Sequence, residues 1–203
     1  MQGPNLLQYT HMKIRAVVFD LYGVLGLNGW QQFKIEHFSE RPDEWERLRR
    51  LGQRADAGLA TQEEFVRALA AATKQSERTI RYQFEHTRVN TPLLDYIAGE
   101  LKPAYKIGLL SNTSHDVFQS IFSAEEYALF DAAIGSFSVG LTKPDPAMFA
   151  LMCHELAVEP EACVIVDDKS THLHTAEAMG MRGVLYQTAE QTIRDLRGIV
   201  AND

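Results

Sequence analysis

Asp20, Ser111, Asn112, Lys143, Asp167 and Asp168 are the residues whose types and positions could together perform chemistry. All but Lys143 lie at or just beyond the end of a short apolar run. Asp20 follows IRAVVF, Ser111 and Asn112 follow KIGLL, and Asp167 and Asp168 follow ACVIV. Lys143 stands in GLTKPD, in the loop after AAIG. Apolar, β-branched runs of this length read as buried parallel strands. In an open parallel α/β sheet, ligands bind outside the carboxyl ends of the strands. Three carboxylates on one such rim cannot all ionise without compensation. A divalent cation is the simplest compensation, and magnesium suits it because it takes one or two carboxylates, waters and a phosphate oxygen. Lys143, Ser111 and the backbone around Asn112 can hold the other phosphate oxygens. A carboxylate such as Asp20 can then attack phosphorus while the metal screens the repulsion between the two anions. The residues alone therefore point to a metal-assisted phosphoryl site.

The elements that must position these groups follow from periodicity. The strand Ile14 to Phe19 is broken by Gly23, Gly26 and Gly29. From about Trp30 to about His86 the pattern is helical: Phe33, His37 and Phe38 share a face, as do Trp45, Leu48 and Leu51, then Phe65, Leu69 and Ala72, then Ile80 and Phe84. Thr61 with Glu64 forms a capping box, and Gly58 marks the preceding helix stop. After Pro92, helices and strands alternate: helices at 93–101, 116–122, 146–157, 171–179 and 189–196, and strands at 106–110, 132–135, 162–166 and 182–186. This alternation predicts an α/β fold with a doubly wound parallel sheet. The expected division is a core of residues 12–27 and 92–203, with a small helical cap, 28–91, inserted after the first strand. Residues 1–11 end beside a His-Met pair of the kind a cloning site leaves, and read as a cloning-derived or disordered tail.

Composition sets outer bounds. The chain has 203 residues, 45% hydrophobic and 23% charged, which fits one domain or one domain with a small appendage. A net charge of −7 argues against nucleic acid or an anionic membrane as the main partner. No apolar run approaches a membrane span. Cys153 and Cys163 lie in apolar runs and read as buried free thiols, with the cytoplasm as the default compartment.

Four segments in order resemble the haloacid dehalogenase superfamily of hydrolases: VVFDLYGVL (17–25), LLSNTS (109–114), GLTKPDP (140–146) and VIVDD (164–168). The resemblance covers essentially residues 13–196 and is greatest to the branch holding sugar-phosphate phosphatases and the phosphatase domain of mammalian soluble epoxide hydrolase. DAGLATQEEF (56–65) is similar to that branch's small cap. The resemblance implies a Rossmann-like core and a magnesium cofactor. It implies Asp20 as nucleophile and, by its carboxylate, metal ligand, and the Tyr22 carbonyl as a further ligand. It implies Ser111 and Asn112 as phosphate binders and Lys143 as the group steadying nucleophile and phosphate. Asp168 is implied to bind magnesium, with Asp167 holding its water shell or binding directly. The implied substrate is a small phosphorylated metabolite.

Two positions depart from that pattern. Phosphatases of the family carry Asp two residues after the nucleophile, as acid and base; Tyr22 stands there in this chain. A phenol with an ordinary pKa of about 10 is a poor base near neutrality, and general acid–base help is worth about 10² to 10⁴ in rate. Weak phosphatase activity is the expectation. Dehalogenating members do carry Asp-x-Tyr-Gly, use no metal and need no acid, so a metal-independent 2-haloacid dehalogenase is the alternative. A non-catalytic binder of a phosphorylated ligand or protein is a third. The acidic pair Asp167-Asp168 favours a cation over a haloacid, because it would repel a carboxylate substrate. His172 is a lesser departure, standing where this branch usually has Asn.

Overall fold

The computed structural model describes residues 13–27, 30–85 and 87–201. The expected tail, 1–11, lies outside the described residues. In chain order the strands are β1 (Ala16–Phe19), β2 (Gly26–Leu27), β3 (Arg88–Val89), β4 (Lys106–Ser111), β5 (Ala132–Gly135), β6 (Cys163–Asp167) and β7 (Arg182–Leu185). Five of them form one sheet in the order β5-β4-β1-β6-β7, with every neighbouring pair parallel. The helices are α1 (Trp30–Phe38), α2 (Pro42–Asp56), α3 (Gln62–Thr73), α4 (Glu77–Glu85), α5 (Thr91–Tyr96), α6 (Phe118–Ile121), α7 (Ala124–Tyr127), α8 (Ser136–Val139), α9 (Pro146–Glu155), α10 (Ser170–Ala178) and α11 (Ala189–Ala201).

Strand side chains alternate between the sheet's two faces, and both faces are covered, which explains the near-continuous apolar runs. Val17, Phe19, Ile107, Leu109, Val164 and Val166 pack on one side with Leu93 and Leu94 of α5 and Leu196 of α11. Ala16, Val18, Leu110, Cys163 and Ile165 pack on the other with Met148, Phe149 and Met152 of α9 and Leu173 of α10. A full burial of each such side chain contributes about 1.5–3 kcal/mol. Gly108 has no room for a side chain: a Cβ there would lie 2.8 Å from Met152 Sδ and 3.0 Å from Val18 Cγ2. Its absence lets α9 approach the sheet.

Helices α1 to α4 have a core of their own, built from Phe33, Phe38, Trp45, Leu48, Val66, Leu69 and Ile80. The Thr61–Glu64 capping box forms as expected at the start of α3. Strands β2 and β3 pair antiparallel where the chain leaves and rejoins the sheet region. Buried Asn90 fixes the return: its amide donates to the Val24 carbonyl (2.8 Å) and to Tyr186 Oη (2.9 Å). Two-residue strands have no periodicity, so this pair was not legible beforehand.

Other boundaries differ. The helix expected at 93–101 is α5 followed by a π-helical turn, Ile97–Leu101, in which Lys102 N–H bonds five residues back to the Ile97 carbonyl (2.8 Å), just before Pro103. The helix expected at 116–122 is the single turn α6. Among the described residues, no helix is long and apolar enough to cross a membrane. Cys153 and Cys163 are buried and free.

Candidate active site

Sheet register brings the chemistry together. Phe19 pairs with Val166 on one side and Leu109 on the other, and Asp20 N–H donates to the Val166 carbonyl (2.9 Å). One residue further along these parallel strands, Asp20 stands beside Asp167. Ser111 ends β4 on the neighbouring strand. Asp20, Ser111, Lys143 and Asp167 are all buried, at 3% exposure or less.

Lys143 is the hub. Its Nζ lies 2.9 Å from Asp20 Oδ1 and donates to Asp167 Oδ2 at 2.7 Å. Burial opposes its charge, but Asp20 and Asp167 outweigh that and hold its pKa above the usual lysine value. Burial would likewise raise Asp167, yet Lys143 and His172 prevail and keep it well below the carboxylate range. Burial pushes Asp20 up to about 6, with Lys143 opposing and Asp167 adding to the rise. Asp20 is thus the more readily protonated member of the pair, and a second cation would restore its charge.

Asp167 has no free coordination of its own. Oδ1 accepts from Lys169 N–H (2.9 Å), both oxygens lie 2.9 Å from His172 Nδ1, and Oδ2 accepts from Lys143. Asp20, Asp167 and His172 do converge closely enough to ligate an ion. The Lys143 ammonium already bridges the two carboxylates, however, so that side of Asp20 holds its cation. Asp168 is different. Its Oδ1 is buried without a hydrogen-bond partner, and burial raises its pKa. Gly23, at φ +90, leaves space beside it: a Cβ there would fall 2.7 Å from Asp168 Oδ2. An orphaned carboxylate oxygen, a side-chain-free cradle and an all-oxygen donor set fit a magnesium ion. Asp20, the Tyr22 carbonyl and Asp168 are the residues that would hold it.

The Asn112 side chain holds the Lys143 loop. Its amide donates to the Lys143 carbonyl (2.9 Å) and its Oδ1 accepts from Lys143 N–H (2.8 Å). The Ser111 hydroxyl has only a long contact, 3.5 Å, to the Asn112 carbonyl, and remains able to bind an anion. Tyr22 is pushed up to about 12 by burial, so its phenol is neither an acid nor a base at neutral pH. Two residues stood outside the sequence reading of this site. His172 orients Asp167, and its only prior signal was its departure from Asn. Asp56, the last residue of α2, interacts electrostatically with Asp20, Lys169 and Tyr22.

The model of the haloacid dehalogenase-like hydrolases matches residues 14–180, which contain the whole of this site. The chain belongs to that family. Among relatives, it is 29% identical over 217 aligned positions to phosphatase MT3486 of Mycobacterium tuberculosis, covering 94% of this chain and 97% of that one. It is 26% identical over 216 positions to bifunctional epoxide hydrolase 2 of Sus scrofa, covering 93% of this chain; it spans only 39% of the pig protein's length. Among solved structures, the HAD family enzyme bt-2542 of Bacteroides thetaiotaomicron, in complex with magnesium and inorganic phosphate, superposes with a TM-score of 0.65 at 22% identity, covering 86% of this chain and 95% of that one. That likeness establishes the shared fold.

Proposed function

We propose that this chain is a magnesium-dependent phosphatase of small phosphorylated metabolites that works through an aspartyl-phosphate on Asp20. The observation that carries the reading is the unequal compensation of the rim's carboxylates: the Lys143 ammonium bridges Asp20 and Asp167, while Asp168 keeps a buried carboxylate oxygen with no hydrogen-bond partner. The phosphatase-named relative of matching length supports the same reaction class, and the magnesium–phosphate complex of the structural neighbour supports the cofactor.

Lys143 and the Ser111 hydroxyl would bind two phosphoryl oxygens, with backbone N–H groups after β4 completing the cradle. An Asp20 oxygen then forms a bond to phosphorus as the ester P–O bond breaks. In the second half, water attacks phosphorus and releases Asp20 and inorganic phosphate. Bound magnesium would supply charge neutralisation at the phosphoryl oxygens. The helical residues 28–91 would act as the cap that covers this rim, and the buried free thiols suit a cytoplasmic setting.

The test is a panel of phosphate esters, with and without magnesium, on the wild type and Asp20→Asn. Magnesium-dependent phosphate release that Asp20→Asn abolishes supports the reading; turnover equal to the Asp20→Asn background rejects it. Tyr22 favours one second reading, a metal-independent haloacid hydrolase. Chloride release from 2-chloropropionate in the presence of a chelator would select it. Asp168 opposes it: Lys143 and His172 already compensate Asp167, but the buried Asp168 oxygen without a hydrogen-bond partner would confront a carboxylate substrate with negative charge.

A further inference from the structure

The phosphatase chemistry needs a proton for the leaving oxygen, and Tyr22 occupies the place beside the nucleophile without being able to give one. Asp56 is the last residue of α2, on the helical insertion. Three features place it. First, α2 stops there in a defined way: Leu59 N–H bonds to the Arg54 carbonyl (2.7 Å), Gly58 N–H to the Ala55 carbonyl (3.0 Å), and Gly58 takes φ +71. This is a Schellman-type end, which fixes the backbone at Asp56. Second, the end of α2 is tied to the phosphate-side loop. Ser136 Oγ accepts from Thr113 N–H (2.9 Å) and lies 2.9 Å from the carbonyl oxygens of both Thr113 and Asp56, its proton shared between them. Thr113 is two residues beyond Ser111. Third, the groups that act on the Asp56 carboxyl are those of the site: Asp20 after β1, Lys169 before α10, and Tyr22 on the nucleophile's own loop.

We propose, on the footing of the phosphatase reading, that Asp56 is the general acid and base of this enzyme, supplied by the helical insertion in place of the residue that Tyr22 displaces. In the first half-reaction an Asp20 oxygen bonds to phosphorus, the ester P–O bond breaks, and the Asp56 carboxylic acid gives its proton to the departing oxygen. In the second, the Asp56 carboxylate takes a proton from water as the water oxygen attacks the aspartyl-phosphate. Asp20 leaves as carboxylate, inorganic phosphate departs, and Asp56 is again protonated. Burial raises Asp56 to about 6, with Asp20 adding to the rise and Lys169 opposing it. The carboxylate also sits at the negative end of α2, which further favours the acid form. A group so placed can hold a proton and still release it near neutrality.

The test compares 2,4-dinitrophenyl phosphate, whose leaving group needs no proton, with phenyl phosphate, whose leaving group does, both with magnesium. Asp56→Asn is expected to lower kcat/KM for phenyl phosphate by about 10² to 10⁴ and to leave kcat/KM for the dinitrophenyl ester within several-fold. Its kcat on the dinitrophenyl ester falls, with a burst of dinitrophenol and phosphorylated Asp20 visible by intact-protein mass spectrometry, because hydrolysis of the intermediate has lost its base. Asp56→Glu, or Tyr22→Asp added to Asp56→Asn, recovers part of the phenyl phosphate rate. An equal loss on both esters, or no loss on either, in an enzyme whose wild type is active overturns the assignment of Asp56 alone. A wild type that hydrolyses neither ester overturns the phosphatase reading and this assignment with it.

Discussion

Asn112 and Lys143, on different sheet connections, clasp each other through two reciprocal hydrogen bonds, side-chain amide to backbone carbonyl at 2.9 Å and backbone N–H to side-chain oxygen at 2.8 Å. The pair acts as a bracket: it holds the main chain of Lys143 so that its Nζ reaches Asp20 and Asp167. Asn112→Ala removes both bonds. At a net value of about 0.5–1.5 kcal/mol each, urea unfolding is expected to show a loss of about 1–3 kcal/mol. An unchanged midpoint would mean that the bracket contributes nothing.

Lys143→Met leaves two buried carboxylates facing each other. Breaking one partner out of a buried ion network costs about 3–5 kcal/mol, and that loss is the expected outcome of equilibrium unfolding at pH 7. The deficit shrinks in acid as the carboxylates protonate. Wild-type stability in this variant would show that Lys143 is not what compensates Asp20 and Asp167.

Gly23→Ala adds a Cβ only 2.7 Å from Asp168 Oδ2 and places a non-glycine residue at φ +90. Isothermal titration should show magnesium binding weakened by about 10- to 100-fold, the range seen when the support of a metal ligand is disturbed. Unaltered affinity would place the ion elsewhere than beside Asp168.

Asp56 gives a pH-dependent signature in stability. Its folded pKa, about 6, lies above the ordinary value of 3.8. Ionising it in the folded state therefore costs stability that appears as pH rises from below 4 through 6 and stays constant above. Asp56→Asn has no such cost. The variant is expected to be more stable than wild type at pH 7.5, by up to about 3 kcal/mol at 1.36 kcal/mol per pKa unit, and equal to it below pH 4. A constant difference across that range would contradict the shifted pKa.

Much of this was legible in the residues. The runs before Asp20, Ser111 and Asp167 read as strands because both sheet faces are buried, and parallel register then put their last residues on one rim. The distinct fates of Asp167 and Asp168 were not legible, since adjacent carboxylates look alike until Lys143, His172 and Lys169 N–H are seen to take up one and not the other. The clasp of the Asn112 side chain on the Lys143 backbone was not legible because it spans 31 residues. Asp56 was hidden for a similar reason: the bond that ties its backbone carbonyl to Ser136, and through it to the loop after β4, spans 80 residues.

The central claim is tested most directly by phosphate release from 2,4-dinitrophenyl phosphate, measured with magnesium and with chelator, for the wild type and Asp20→Asn. Release that requires magnesium, together with a phosphate adduct on Asp20 trapped in the wild type and absent from Asp20→Asn, is the predicted result. Release that persists in chelator, or that Asp20→Asn leaves intact, would contradict it.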